Sequence, residues 1–307
     1  MTNKKNRVLI VGSIALDTVQ TPVEVHSDLL GGSASYASLG ASFFSPVDLV
    51  GIVGSDFPKQ HIEMYGRHDI NLDGLQVVDG RTFRWSGVYE WDMNTRRTLS
   101  VALNVFETFK PNLPESYRDS EFLLLGNISP ALQHHVLDQA RKPKFVVCDT
   151  MDLWIEIEKK PLMELLGRVD ALCLNDSEAR QLTTETSLIR AGQKILTYGP
   201  KYVVIKKGEH GCLLFANKHF FSAPAYPLED IHDPTGAGDA FVGALMGYLA
   251  KGGEVNPETL RRAIIYGSIV ASYNVEAFST KRLEKLTPEE IQGRYLVFKD
   301  ISKFEFE

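Results

Sequence analysis

Apolar residues along this chain cluster in short unbroken runs, and between the runs they recur at helical spacing. The first run is Arg7–Gly12, and others follow at Val47–Val53, Phe122–Leu125, Phe145–Cys148, Ala171–Leu174 and Tyr202–Ile205. A strand buried on both faces shows no polar alternation, so these runs predict a central sheet covered above and below. Helical patterns occupy Ser33–Phe44, Ala131–Arg141, Pro161–Val169 and Leu188–Leu196. Strands alternating with helices predict right-handed βαβ crossovers and a mostly parallel sheet in an α/β fold. From about Gly236 to Phe278 the pattern is purely helical, broken at Gly252-Gly253 and Asn256-Pro257. A last helix is predicted from Thr287-Pro288, with Thr as its cap and Pro in its first turn.

Two segments break the pattern. Residues of about 75–105 hold Thr82–Trp91, rich in aromatic and β-branched side chains, then a turn at Asp92–Thr95, then Thr98–Leu103. That reads as an inserted β-hairpin. Phe83, Trp85, Tyr89 and Trp91 fall in period two on it. The segment of about 15–30 is also non-helical. Together the two predict a small sheet over one edge of a single domain spanning residues 1–307.

Composition narrows the choice of function. The 307 residues are 44% hydrophobic and 23% charged, ordinary for a folded protein. Net charge is −6, and basic residues occur only as short pairs such as Arg96-Arg97 and Lys206-Lys207. Nucleic acid is not expected as a partner, since phosphate neutralisation needs clustered cations. No apolar stretch is long enough to span a membrane, and no signal peptide is expected after the basic start. The cysteines Cys148, Cys173 and Cys212 are odd in number and irregularly spaced. They read as buried thiols in a reducing, cytoplasmic setting, not as a disulfide framework or zinc site.

The chemistry concentrates in Asp233-Pro234-Thr235-Gly236-Ala237-Gly238-Asp239-Ala240-Phe241, at a loop-to-helix junction. Small residues let backbone N–H groups approach a ligand, and at a helix N-terminus those groups form an anion site. A carboxylate beside such a site repels a bound phosphate unless it has work there. Taking a proton from an attacking hydroxyl is that work. Asp239 is therefore the expected base, with the amides of Gly236, Ala237 and Gly238 stabilising charge on the phosphorus under attack. A plain turn with an Asp cap is the competing reading. The chain has neither GxxxxGK[ST] nor GxGxxG, so it reads as neither a P-loop enzyme nor a dinucleotide-binding domain.

The nine-residue segment resembles the C-terminal signature of the PfkB carbohydrate kinases, the ribokinase-like family, and further matches follow in order along nearly the whole chain. The resemblance implies a ribokinase-like three-layer α/β/α fold with a small β-sheet lid, and transfer of the γ-phosphoryl group of ATP to a hydroxyl. Asp17, Gly31 and Gly32 match the family's substrate-binding positions. Asn175 and Glu178 match its N-x-x-E motif near Mg²⁺ and the phosphates, with Glu178 acting on Mg²⁺ through water. Lys207, Gly208 and Gly211 resemble its nucleotide-binding stretch, and Thr235 joins them as an ATP-binding residue. Asp233 resembles the family's monovalent-cation loop, which makes K⁺ a further expectation. Where the family often has Gly-Ala near that loop, this chain has Val275–Phe278.

The substrate pocket departs from the ribose-kinase pattern. The family's sugar-binding Asn is Tyr36 here, and Asp149–Trp154 lacks the Asn and Arg of its D-x-N-x-R region. A missing cation argues against an acidic sugar. Asn127 and Ser129 are neutral polar candidates, and Trp85 and Arg84 of the lid are expected at the substrate. The acceptor is thus expected to be a small neutral sugar. The alternatives are a nucleoside, a silent sugar- or nucleotide-binding regulator, and a related vitamin or hydroxymethylpyrimidine kinase. A homodimer through exposed lid edges is a further expectation.

Overall fold

The computed structural model describes residues 6–217 and 219–303. In chain order it runs β1 (Val8–Val11), β2 (Ala15–Gln20), β3 (Val25–Gly31), α1 (Ser33–Ser42), β4 (Val47–Gly54), α2 (Lys59–Arg67), β5 (Ile70–Val78), β6 (Phe83–Tyr89) and β7 (Arg96–Ala102). Next come β8 (Phe122–Leu125), α3 (Pro130–Gln139), β9 (Phe145–Asp149), α4 (Asp152–Ile157), α5 (Lys159–Leu166), β10 (Ala171–Asn175), α6 (Asp176–Thr183) and α7 (Leu188–Leu196). The chain closes with β11 (Tyr202–Lys206), β12 (Cys212–Ala216), β13 (His219–Ala223), α8 (Ala237–Gly252), α9 (Pro257–Asn274) and α10 (Pro288–Ile301).

The main sheet has the order β13-β12-β11-β10-β9-β8-β1-β4-β5. Seven of these strands, from β11 across to β5, pair in parallel, and the β12–β13 hairpin continues the sheet antiparallel. Its two faces feed two cores. Val8 and Ile10 of β1 and Phe122 and Leu124 of β8 join one, with α1, α8 and α9 packed on it. Leu9, Val11, Leu123 and Leu125 join the other, under α5, α6 and α7. Both sets are buried, which is why these strands show no polar alternation in sequence. Chain order reverses at β1, which pairs with β4 on one side and β8 on the other. Open α/β sheets bind ligands outside the carboxyl ends of the strands at such a reversal.

The smaller sheet has the order β3-β2-β6-β7. It begins its second segment at Phe83, not near residue 75, because Ile70–Val78 pairs in parallel with β4 in the main sheet. Trp91 is not part of its strands. It lies in the turn after β6 and is 83% exposed, so the period-two aromatic face is Phe83, Trp85 and Tyr89. The helix expected at Phe241 begins four residues earlier, at Ala237. Its Gly and Ala residues hid the start, because they bring its backbone against α1 and need no apolar stripe. A methyl group at Gly243 would stand 2.0 Å from the Ala37 carbonyl oxygen, and one at Gly247 would stand 2.4 Å from that of Ala41.

Candidate active site

The signature loop meets α8 at Gly236, which takes φ +75°, a left-handed conformation that L side chains rarely adopt. A Cβ there would also lie 2.3 Å from the Tyr36 ring. Ala237 N–H closes the turn by donating to the Pro234 carbonyl at 3.2 Å. The amides of Gly236, Gly238 and Asp239 donate to nothing among the described residues. Gly236, Gly238 and Asp239 thus keep free N–H groups at the start of α8, while the Ala237 N–H is used within the turn. The Asp239 side chain is in the first turn of α8, where the dipole favours a carboxylate. Burial, then the neighbouring Asp149, pushes its pKa up to about 7, while Lys206 and Arg96 pull the other way. A base poised near neutrality can both take and release a proton.

Lys206 is the cation that the sequence left unresolved from its neighbour Lys207. As the last residue of β11 it turns inward, with its side chain 19% exposed, and its ammonium donates to Asp149 Oδ2 at 3.3 Å. A methyl group at Gly238 would come within 3.0 Å of Lys206 Nζ, so the ammonium lies directly beside the free N–H groups at the start of α8. Burial alone would favour the neutral amine, but Asp149, Glu178 and Asp239 around it raise its pKa and hold the charge. Lys207 is half-buried with its backbone in the turn that closes on Gly211, a 2.7 Å bond from Lys207 N–H to the Gly211 carbonyl. Of the two lysines, it is Lys206 whose ammonium lies beside Gly238.

Asn175 and Glu178 form a reciprocal capping box on α6. Asn175 Oδ1 accepts from Glu178 N–H at 2.8 Å, and Glu178 Oε2 accepts from Asn175 N–H at 2.7 Å. Both thus have a structural role, and Glu178 Oε1 is left free. Burial raises Glu178 to a pKa of about 7. Among the described residues no cluster of three or more His, Cys, Asp or Glu could hold a metal alone. A divalent ion that keeps its waters and leans on nucleotide phosphates fits this arrangement, with Glu178 as an outer acceptor.

Asp17 was expected just past the first strand; it lies in the lid, at a bulge in β2 between Asp17 and Val19. Bulges re-aim side chains, and this one sends the carboxylate across Gly31. A Cβ at Gly31 would be 1.8 Å from Asp17 Oδ2, so only Gly fits. Asp17 Oδ1 is buried without any hydrogen-bond partner. Burial, helped by Asp233, raises its pKa to about 8. An unpartnered buried carboxyl oxygen is costly, and it suits an acceptor of ligand hydroxyls. Gly32, at φ +88°, caps α1. Tyr36 is 2% exposed and lies under Gly236, so it shapes the floor of the loop and does not line an open pocket.

Trp85 pairs in register with Asp17 across β2–β6, and its ring covers Gly87. Its indole N–H donates to Thr98 Oγ1 at 3.1 Å. Tyr89 accepts a 3.2 Å bond from Thr235 Oγ1, which ties the lid to the signature loop. Arg84 points elsewhere, paired with Asp28 at 2.5 Å and Asp56 at 3.4 Å. Asn127 is partly engaged: its Oδ1 accepts from the Trp154 indole at 2.8 Å and its Nδ2 donates to Met151 Sδ at 3.2 Å. Ser129 caps α3 and donates to Glu158. Asp233, fully buried, accepts from Thr235 N–H and Ser279 N–H, both at 2.9 Å, and so clasps the signature loop to residues 275–280.

This geometry agrees with what the chain resembles. The profile of the pfkB family carbohydrate kinases matches residues 6–285. Ribokinase of Mus musculus is 35% identical over 304 residues, covering 89% of this chain and 90% of its own length. Cytidine kinase of Thermococcus kodakarensis is 29% identical over 253 residues, covering 80% and 89%. The structure of Arabidopsis thaliana ribokinase complexed with ribose and ATP shares the fold, with a TM-score of 0.76, 21% identity and coverage of 94% and 98%. The chain belongs to the PfkB family of carbohydrate kinases. It is a phosphotransferase with an alcohol group as acceptor, and its kinase family uses ATP with a divalent metal.

Proposed function

We propose that the protein transfers the γ-phosphoryl group of MgATP to a primary hydroxyl of a small neutral sugar. The observation that carries this is the pairing of an orphaned, buried Asp17 oxygen with a partly buried Asp239 beside three free amides. Asp17 accepts hydroxyls of the acceptor and fixes it. Asp239 takes the proton of the attacking hydroxyl. The amides of Gly236, Gly238 and Asp239, with the Lys206 ammonium, stabilise the charge on the phosphoryl oxygens. The oxygen–phosphorus bond to the acceptor forms as the bond to the ADP oxygen breaks. Bound Mg²⁺ supplies further charge neutralisation on the phosphates. A neutral acceptor is supported by the carboxyl groups of Asp17 in the lid and of Asp233 and Asp239 in the signature segment, which offer an anionic group no charge partner.

A nucleoside acceptor is the second reading, favoured by the likeness to the cytidine kinase and by an aromatic lid residue, Trp85, beside Asp17. ADP release in MgATP against a panel of neutral sugars, polyols and nucleosides separates the two. Turnover on a sugar or polyol supports the first; turnover on nucleosides alone replaces it with the second. For the cation expected at Asp233, the same assay in KCl against tetramethylammonium chloride tests K⁺ directly. No helix among the described residues is long and apolar enough to cross a membrane. The three cysteines are free and buried, which supports a reducing, cytoplasmic setting.

A further inference from the structure

We propose that Arg96 is a catalytic residue of the lid, whose guanidinium closes over the transferring phosphoryl group. This rests on the kinase reading above. Three contacts place it. Arg96 opens β7 directly opposite Tyr89, and opposed residues of an antiparallel pair share a face. Tyr89 is hydrogen-bonded to Thr235 of the signature loop, so the face that carries Arg96 is turned toward the anion hole. Two residues earlier, Asn94 at the hairpin tip donates to Glu209 at 3.2 Å and touches Gly208, in the nucleotide-binding turn. Arg96 therefore stands between a contact to the signature loop and a contact to the nucleotide turn. Transfer takes place between those two loops.

The side chain is held but not spent. Its guanidinium lies over the Trp85 ring at 5.4 Å from the centroid, an attraction that orients it without using its N–H donors. It has no hydrogen bond or ion pair with any described residue, whereas its neighbours do. Arg97 pairs with Glu90 at 2.7 Å, and Arg84 pairs with two aspartates. Its charge nonetheless acts on Asp17, Tyr89 and Asp239, offsetting part of the rise that burial gives each pKa. A planar fork of free donors suits phosphoryl oxygens. In the step itself Asp239 receives the acceptor's proton, the phosphorus exchanges the ADP oxygen for the acceptor oxygen, and Arg96 keeps its protons throughout.

Steady-state kinetics of Arg96→Ala and Arg96→Lys, with Arg97→Ala as control, test this. The Ala variant is expected to lose about 100-fold or more in kcat, with KM for ATP and acceptor changed little. Its slow hydrolysis of MgATP without any acceptor should fall in step. The Lys variant should recover part of the loss, and millimolar guanidinium ion should partly rescue the Ala variant. Arg97→Ala should behave as the unaltered protein. Hydrolysis needs no acceptor, so an error in the acceptor class leaves this readout intact. A kcat for Arg96→Ala within twofold of the unaltered protein would overturn the proposal. A loss confined to acceptor KM, with hydrolysis unchanged, would equally overturn it and make Arg96 an acceptor-binding residue.

Discussion

The floor of the site and its lid solve opposite problems. On the floor, Asp149 and Lys206 end β9 and β11, Glu178 lies in the first turn of α6 and Asp239 in that of α8, and all four are buried or partly buried. Every residue of β7 in the lid is exposed, its two arginines included, and the one arginine of β6, Arg84, is partly exposed. Buried charge is costly and therefore fixed in place, because each ion depends on its partner. Exposed charge costs little and can rearrange. The floor is thus held in place by its own pairs, whereas the exposed charges of β7 are not fixed in that way.

Breaking the floor should have the largest effect. Lys206→Met leaves Asp149 buried without its cation and should cost about 3–5 kcal/mol of stability, read by urea unfolding. Combining it with Asp149→Leu should return most of that stability but no transfer activity. If Lys206→Met alone unfolds at the same urea concentration as the unaltered protein, the pair is not a structural unit. Next in size is Gly31→Ala. Its Cβ would overlap Asp17 Oδ2, costing about 1–3 kcal/mol and raising KM for the acceptor more than KM for ATP.

The pH dependence of stability sharpens the same contrast. Asp17 loses its proton near 3.8 when unfolded and near about 8 when folded. Between those values the unfolded chain binds fewer protons, so stability should fall as pH rises from about 4 to 8. Glu178 and Asp239, both raised to about 7, act in the same direction. Thermal unfolding across that range checks it, and Asp17→Asn should flatten the slope. Stability that rises through the window would contradict the burial of these carboxyls. Smallest is Arg84→Ala in the lid, where a solvent-screened pair to Asp28 and Asp56 predicts a loss under about 1 kcal/mol by urea unfolding.

The same contrast governs what the sequence disclosed. Residues whose role follows from local chain chemistry were legible. The apolar strands announced the sheet, and the glycines around Asp239 announced a helix start with free backbone N–H groups. Residues whose role depends on pairing between distant strands were not. Lys206 and Lys207 are adjacent, and only the strand's alternation, together with Asp149 one strand beyond β10, decides which turns inward. Arg96 depends on the hairpin register that sets it opposite Tyr89, with a bulge between Ser86 and Gly87 in the way. One signal was available: a lysine ending an otherwise apolar buried run. Asn127 is a further case, since the bond from the Trp154 indole to its Oδ1 exists only in the fold.

The central claim is that Asp239 takes the acceptor's proton. The pH profile of kcat/KM for transfer, in the unaltered protein and in Asp239→Asn, tests it most directly. The account predicts that the unaltered rate climbs about tenfold per pH unit below about 7 and levels above it. The variant, still folded, should lose about 10³-fold in rate and lose that rising limb with it. A variant that keeps a tenth or more of the rate with the same rising limb would contradict the account and move the base elsewhere.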